Sequence, residues 1–345
     1  MDEFLCPLPF GSPSHIVMGH GAGGRMTQTL IREIFLRALG NPNEEGHDSE
    51  VFSPESSRLA ITTDGFVVRP LFFPGGDIGS LAVFGTINDL AMSGAVPRHL
   101  TASFILEEGL PLETLSKIVF SMKRALETTG ARLIAGDTKV VEKGKGDGLY
   151  LSMSGVGEIH HSLKIAASSI QARDCILITG DVGRHGIAVM NAREKLFPET
   201  EILSDCAALS APVQALIQAG VEVHCLRDLT RGGLATALVE LVEASGYEFA
   251  IEEERIVVAS QVRSACELLG LDPCYVANEG RFIAILPEQQ AEQALWTLRE
   301  FEVTRGATVI GRVQNRRTHS VVLKTAYGTE RMLDRLSGDM LPRIC

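Results

Sequence analysis

The chain has 345 residues, 45% hydrophobic and 22% charged, the balance of a soluble globular protein with room for about two domains. Its 32 basic residues against 43 acidic ones leave a net charge of −11, which argues against nucleic acid or an anionic membrane surface as a main partner. No apolar run is long enough to cross a bilayer, and the acidic start Met1-Asp2-Glu3 lacks the basic and apolar regions of a signal peptide, so the cytoplasm is the expected compartment.

Residues 15–18 read as a short strand running into Gly19-His20-Gly21-Ala22-Gly23-Gly24-Arg25. Gly21, Gly23 and Gly24, followed by an amphipathic helix over residues 27–39, suit the approach of backbone N–H groups to a phosphate; a plain flexible turn is the competing reading. Residues 41–57 are polar and predict a surface loop. Residues 59–68, rich in β-branched side chains, predict a strand carrying Asp64 before Gly65. Gly75-Gly76-Asp77-Ile78-Gly79 opens a helix with Asp77 near its N-terminus. That helix reaches Asn88 and Asp89 and ends near Gly94, with Pro97 beyond. A carboxylate among Ile87, Leu90, Ala91 and Met92 either faces a polar cleft or binds a cation.

A strand over 100–106, a helix over 111–129 with Pro111 in its first turn, and a strand over 133–141 follow. The last carries Asp137, Thr138 and Lys139 at its centre. A charged hairpin loop over 142–147 leads to a strand over 150–159, and a domain boundary is expected within 160–174. Beyond it come a strand from Cys175, helices over 185–195 and 207–219, a strand over 223–226, and the turn Arg227-Asp228-Leu229-Thr230-Arg231-Gly232-Gly233. Helices over 235–245, 261–269 and 288–301 and strands at 282–286, near Val309 and near Val321 complete the body. The mixture predicts an α+β or mixed α/β fold of two sequential domains, residues 1–160 and 161–336, with a tail over 337–345.

Asp64, Asp89, Asp137 and Asp228 each stand at a predicted strand end, strand centre or helix. Any one is an ordinary turn acid. Four in apolar surroundings suggest oxygen ligands for a hard divalent cation, and Mg2+ favours a few carboxylates plus substrate phosphates. With the glycine loop, the expected cargo is a nucleoside triphosphate with Mg2+, Asn88 and Thr138 standing beside the metal ligands.

The chain ends Leu341-Pro342-Arg343-Ile344-Cys345. Pro342 bars a helix interior, Gly338 permits a hinge, and the eight residues from Gly338 span on the order of 25 Å when extended. Such an arm can carry the Cys345 thiol into a site and withdraw it; a frayed end with an accidental cysteine is the competing reading. The seven cysteines form no C-x-x-C pair, so a zinc ribbon is not expected and the rest read as small buried residues of a reduced compartment.

The motifs together resemble the HypE family of hydrogenase maturation factors, within the aminoimidazole ribonucleotide synthetase-like (PurM-like) superfamily of ATP-dependent enzymes. The matching stretches are Gly21–Gly24, Asp64, Leu71–Gly79, Asn88-Asp89, Phe104–Pro111, Gly136–Val141, Asp228–Gly233, Asn278–Gly280 and the terminal Pro342-Arg343-Ile344-Cys345. The resemblance covers nearly the whole chain; residues 1–14 and 43–57 have no match. It implies a two-domain PurM-like fold whose N-terminal domain binds ATP and supplies a β-sheet dimer interface. It implies that Cys345 receives a carbamoyl group from the carbamoyltransferase HypF, that ATP and Mg2+ drive dehydration to a thiocyanate, and that the cyanide passes to iron on a HypC–HypD complex. It implies Lys139 and Glu279 as the base pair and a homodimer as the assembly. Two rivals stand beside this reading: another superfamily kinase or synthetase acting on a free small molecule, and a nucleotide-binding scaffold without chemistry. ATP hydrolysis that survives removal of Cys345 and needs an added substrate marks the first; binding without dehydration marks the second.

Overall fold

Asp77 shows how local sequence starts the central element. Its carboxylate accepts from the backbone N–H of Gly79 (2.7 Å) and Ser80 (3.1 Å), while the Ser80 hydroxyl accepts from the Asp77 N–H, a reciprocal cap on three backbone donors. The computed structural model describes residues 13–40, 51–197, 201–316 and 318–335. Cys6, most of the acidic loop before residue 51, and the arm with Cys345 lie outside the described residues.

Helix α1 is Arg25–Leu30, continued by a π-helical stretch Ile31–Leu36 and a last turn Arg37–Leu39. Helix α2, Ile78–Met92, is apolar nearly all round, which a helix can be only if it is covered on every side. It is covered by a first sheet made of β1 (Leu59–Phe66), β2 (Val96–Glu107), β3 (Arg132–Val141) and β4 (Leu149–Glu158), and by helix α3 (Leu112–Thr129). The sheet order is β1-β4-β2-β3, so β1 and β3 are its two edges. β2 and β3 are parallel with α3 as their crossover, and the other pairs are antiparallel. Leu100, Ala102, Phe104, Leu151 and Met153 point from the sheet into the core against the helices. The opposite face, with Ile61 (79% exposed), Thr101, Ser152 and Lys139, has no covering layer among the described residues.

The second part of the chain builds a seven-stranded sheet from β5 (Asp174–Ile178), β6 (Cys225–Asp228), β7 (Glu248–Glu252), β8 (Phe282–Pro287), β9 (Thr308–Gln314), β10 (Val321–Lys324) and β11 (Glu330–Leu333). Its order is β11-β10-β7-β9-β5-β8-β6, which leaves β6 at the edge that meets α2. Helices α4 (Arg184–Glu194), α5 (Ser210–Gln218), α6 (Gly233–Ser245), α7 (Ser260–Leu269) and α8 (Ala291–Arg299) flank it. The five-residue run β5 is buried throughout, as its unbroken apolar sequence requires of a central strand. No helix among the described residues is long and apolar enough to cross a membrane.

The mixed α/β architecture follows the sequence reading. The expected strand at 15–18 reduces to one bridge, His15 to Pro111, and Met18–Gly21 closes as a 3-10 turn because the His20 ring accepts from the Val17 N–H. The helix expected over 288–301 opens with a 3-10 turn, Glu288–Gln290. Strands β7 and β11 escaped prediction, since Glu-Phe-Ala-Ile-Glu and Glu-Arg-Met-Leu are short and carry charges at their ends. The Asp77 cap yields a direct test: Asp77→Ala should destabilise the fold by about 1–2 kcal/mol, read as a lower denaturant midpoint at unchanged slope.

Candidate active site

Alternation along β1 decides which way its acid points. Thr62, Asp64 and Phe66 share the helix-facing side, since Asp64 pairs with buried Met153 and a Cβ on Gly85 of α2 would strike the Phe66 ring. The Thr62 hydroxyl donates to Asp89 Oδ2 at 2.8 Å, which ties β1 to α2. From the second sheet, β6 ends on Asp228, and the turn after it needs left-handed glycines at Gly232 (φ 75°) and at Gly233 (φ 60°), the first residue of α6. The turn before β8 presents Glu279, which is 5% exposed. Asp64, Asp89, Asp228, Thr230, Arg231 and Glu279 line one cleft of about 130 Å³. That is too small for a whole nucleotide, so it suits a charged end and a cation.

The electrostatics of this cleft are those of acids short of partners. Burial, followed by the charges of Asp89 and Asp64, pushes the Asp228 carboxyl up to about 7, with Arg227 opposing. Burial raises Asp89 as well, with Asp64 adding and Thr62, Arg227 and Arg231 opposing. Glu279 is raised well above the usual carboxylate range, by burial first and then by Asp228, Asp205, Asp64 and Asp89. Arg227 is itself engaged by Glu240. A divalent cation would relieve this crowding, and Asp64, Asp89 and Asp228 offer hard oxygen ligands of the kind Mg2+ takes.

The other expected residues assemble elsewhere. Asp137 and Lys139 form an ion pair on β3, with Nζ 2.8 Å from Oδ1 and 2.7 Å from Oδ2, and this bond from Lys139 holds the Asp137 carboxyl low. They stand in register with Ser103 and Ile105, on the open face of the sheet. The glycine loop backs on the same strand, and a Cβ on Gly21 would lie 3.0 Å from Val140. Among the described residues nothing would meet a Cβ on Gly23 or Gly24 within 4 Å. Within one chain, Asp137 and Lys139 therefore lie three strand spacings, on the order of 14 Å, from the edge that carries Asp64, and on the opposite face. Asp137 does not join Asp64, Asp89 and Asp228 in one chain, and Lys139 does not meet Glu279.

Asn88, expected to bind cofactor, is 2% exposed and its amide is engaged within the chain. Nδ2 donates to Ala207 O (3.0 Å) and Glu279 O (3.3 Å), and Oδ1 accepts from the Leu209 N–H (2.8 Å). Sequence reasoning assigned no role to Arg231, which a motif did mark, or to Asp205, which no motif marks. Of the described cysteines, burial pushes Cys175 and Cys225 up to about 12 and Cys266 to about 11, and it raises Cys206 and Cys274 well above the usual thiol range.

Comparison with known proteins adds to this geometry. The N-terminal domain of AIR synthase related protein matches residues 46–159 and its C-terminal domain matches residues 171–324. The chain is 48% identical over 332 residues to "Carbamoyl dehydratase HypE" of Cupriavidus necator, covering 96% of this chain and 95% of that one. A crystal structure of hydrogenase maturation protein HypE in complex with ATP superposes with a TM-score of 0.91 at 41% identity, covering 95% of this chain and 99% of that one. A chain of a HypE–HypF complex superposes with a TM-score of 0.79 at 40% identity, covering 91% of this chain and all (100%) of that one.

The raised acids fix the sign of a pH effect. Asp228 holds its proton more tightly folded than unfolded, where its value is 3.8, so its stabilising contribution is complete below that pH and is lost as pH rises through about 7. The melting temperature without added cation should fall between about pH 5 and 8, Asp228→Asn should flatten part of the fall, and millimolar Mg2+ should reverse it at the alkaline end. A flat wild-type profile would contradict the crowding of these carboxyls.

Proposed function

The chain belongs to the carbamoyl dehydratase HypE family, and from that premise we propose that it dehydrates an S-carboxamide on its own Cys345 to a thiocyanate, with ATP, as the source of the cyanide ligand of nickel–iron hydrogenase. The observation that carries the proposal is the single cleft in which acids from both parts of the chain, Asp64 and Asp89 with Asp228 and Glu279, face one another. Mg2+ held by Asp64, Asp89 and Asp228 would neutralise the triphosphate and stabilise charge as phosphoryl transfer proceeds. The γ-phosphoryl group goes to the carboxamide oxygen, the C–O bond breaks as phosphate leaves, and the nitrogen gives up two protons to become a nitrile. Glu279 and Lys139 are the groups proposed to take those protons. A buried carboxyl with raised proton affinity is a stronger base than an exposed one, and it acts from its ionised form.

The separation of Lys139 from Glu279 supports a homodimer. The uncovered sheet face exposes Ile61 beside Thr63, Ser152 and Thr101, and a second copy on that face would bury it. A two-fold axis through such an interface brings the β3 edge of one copy towards the β1 edge of the other. The partner's glycine loop, Asp137, Thr138 and Lys139 would then complete the cleft that Asp64, Asp89, Asp228 and Glu279 begin. HypF as carbamoyl donor, a HypC–HypD complex as acceptor, and a cytoplasmic setting go with this reading.

Mass spectrometry of the C-terminal peptide after incubation with HypF, carbamoyl phosphate and ATP tests the chemistry. Cys345→Ala should bind ATP and form neither adduct; Lys139→Ala and Glu279→Ala should carry carbamoyl and stall before thiocyanate, with rates down about 100-fold or more. A thiocyanate mass at the wild-type rate would remove that residue from the mechanism. Equal mixing of the Lys139→Ala and Glu279→Ala chains should restore about a quarter of wild-type activity, because half of the dimers are mixed and each has one intact site. No recovery in verified mixed dimers would sink the composite site.

A further inference from the structure

The Glu279 turn does not hold itself in place. It leans on residues 201–209, a segment without helix or strand that lies between the two sheets. That segment is fastened to the first part of the chain by the Ser204 N–H on Pro74 O (2.8 Å) and by the Asn88 amide on Ala207 and Leu209. It is fastened to the second part by the Ser204 hydroxyl against His185 Nδ1 (2.8 Å) and, above all, by Asp205. The Asp205 carboxylate is 6% exposed and takes two successive backbone N–H groups, Glu279 N–H on Oδ1 (3.1 Å) and Gly280 N–H on Oδ2 (3.2 Å). Two adjacent amides on one carboxylate define the peptide plane from which the Glu279 side chain leaves. Contact is close enough that a Cβ on Gly280 would come within 1.9 Å of Asp205 O. The nearest cation is Arg281, with Nε 4.0 Å from Oδ2, and it is already bound to Asp181 and to Gly280 O.

We propose that Asp205 is a positioning residue for the dehydration step, holding the Glu279 turn so that its carboxyl meets Asp64 and Asp89 across the seam between the sheets. This inference rests on the reading of Glu279 as a proton acceptor. Two features separate the role from simple loop closure. A buried acid beside a cleft already crowded with acids is an adverse choice where neutral oxygens would also accept two N–H groups. When ionised, it also adds to the charges that raise the proton affinity of Glu279, after burial, while burial raises the proton affinity of Asp205 itself.

The test is single-turnover thiocyanate formation by the carbamoylated full-length protein at saturating ATP, with Asp205→Asn, Glu279→Gln and the double variant. Asp205→Asn keeps the size and one acceptor but sets an NH2 group against the second N–H. It should slow thiocyanate formation about tenfold or more, leave the half-saturating ATP concentration within about twofold, and leave Cys345 fully carbamoylated. On the Glu279→Gln background the same change should have no further effect, because Asp205 acts through that carboxyl. A wild-type rate for Asp205→Asn, or an equal further loss on the Glu279→Gln background, overturns the inference. A wild-type rate for Glu279→Gln alone overturns the reading beneath it. Asp205→Ser is the second variant should the amide not fold, and failure of both to fold makes Asp205 a structural residue and ends the proposal.

Discussion

The buried amide of Asn88 is the fastening on which the rest depends. It sits on a helix of the first layer and satisfies two carbonyls and one N–H of segments from the second. Removal of that side chain would take a hydrogen bond from each of these backbone groups, leaving Glu279 O only its long bond from the Ala207 N–H (3.4 Å), and each buried group left unsatisfied costs about 1–3 kcal/mol. The cleft draws Asp64 and Asp89 from one layer and Asp228 and Glu279 from the other. Its geometry is therefore only as good as the seam. Helix α2 does the same on a larger scale, since both layers use it as a wall and it has no face left for water.

Two groups of buried charge stand close together and behave oppositely. Burial alone would raise Asp181, but hydrogen bonds from Arg281 and Arg184 outweigh it and its carboxyl stays low. The Asp181–Arg281 pair is held at 2.7 Å, and the Arg281 guanidinium also reaches Gly280 O and Val303 O. That group is complete within the chain and reads as structure. Among the described residues the cleft acids Asp64, Asp89, Asp228 and Glu279 form no ion pair, and burial raises the proton affinity of Asp89, Asp228 and Glu279. The contrast agrees with the proposed ligand-facing set.

Much of this could be read in the sequence. The β-branched run before Asp64, the Asp77 cap and the glycine pair after Arg231 each dictate local backbone, and each appears where its chemistry requires. Strand order could not be read. Period-2 alternation says that Asp137 and Lys139 share a face, but only the parallel pairing of β3 with β2 sends that strand to the far edge from β1. The partners of Asn88 were illegible for a related reason: they are backbone groups of the irregular segment and of the Glu279 turn, 119 and more residues away. Asp205 belongs to that same segment, which follows no periodic pattern at all.

The burial of five thiols has a consequence for chemoselectivity. Cys175, Cys206, Cys225, Cys266 and Cys274 are all held well above neutrality, so almost none of their sulfur is nucleophilic under physiological conditions. An activated acyl donor arriving at this surface finds them inert. Among the described residues the body of the protein thus protects its interior from stray acylation, because each cysteine there withholds its sulfur.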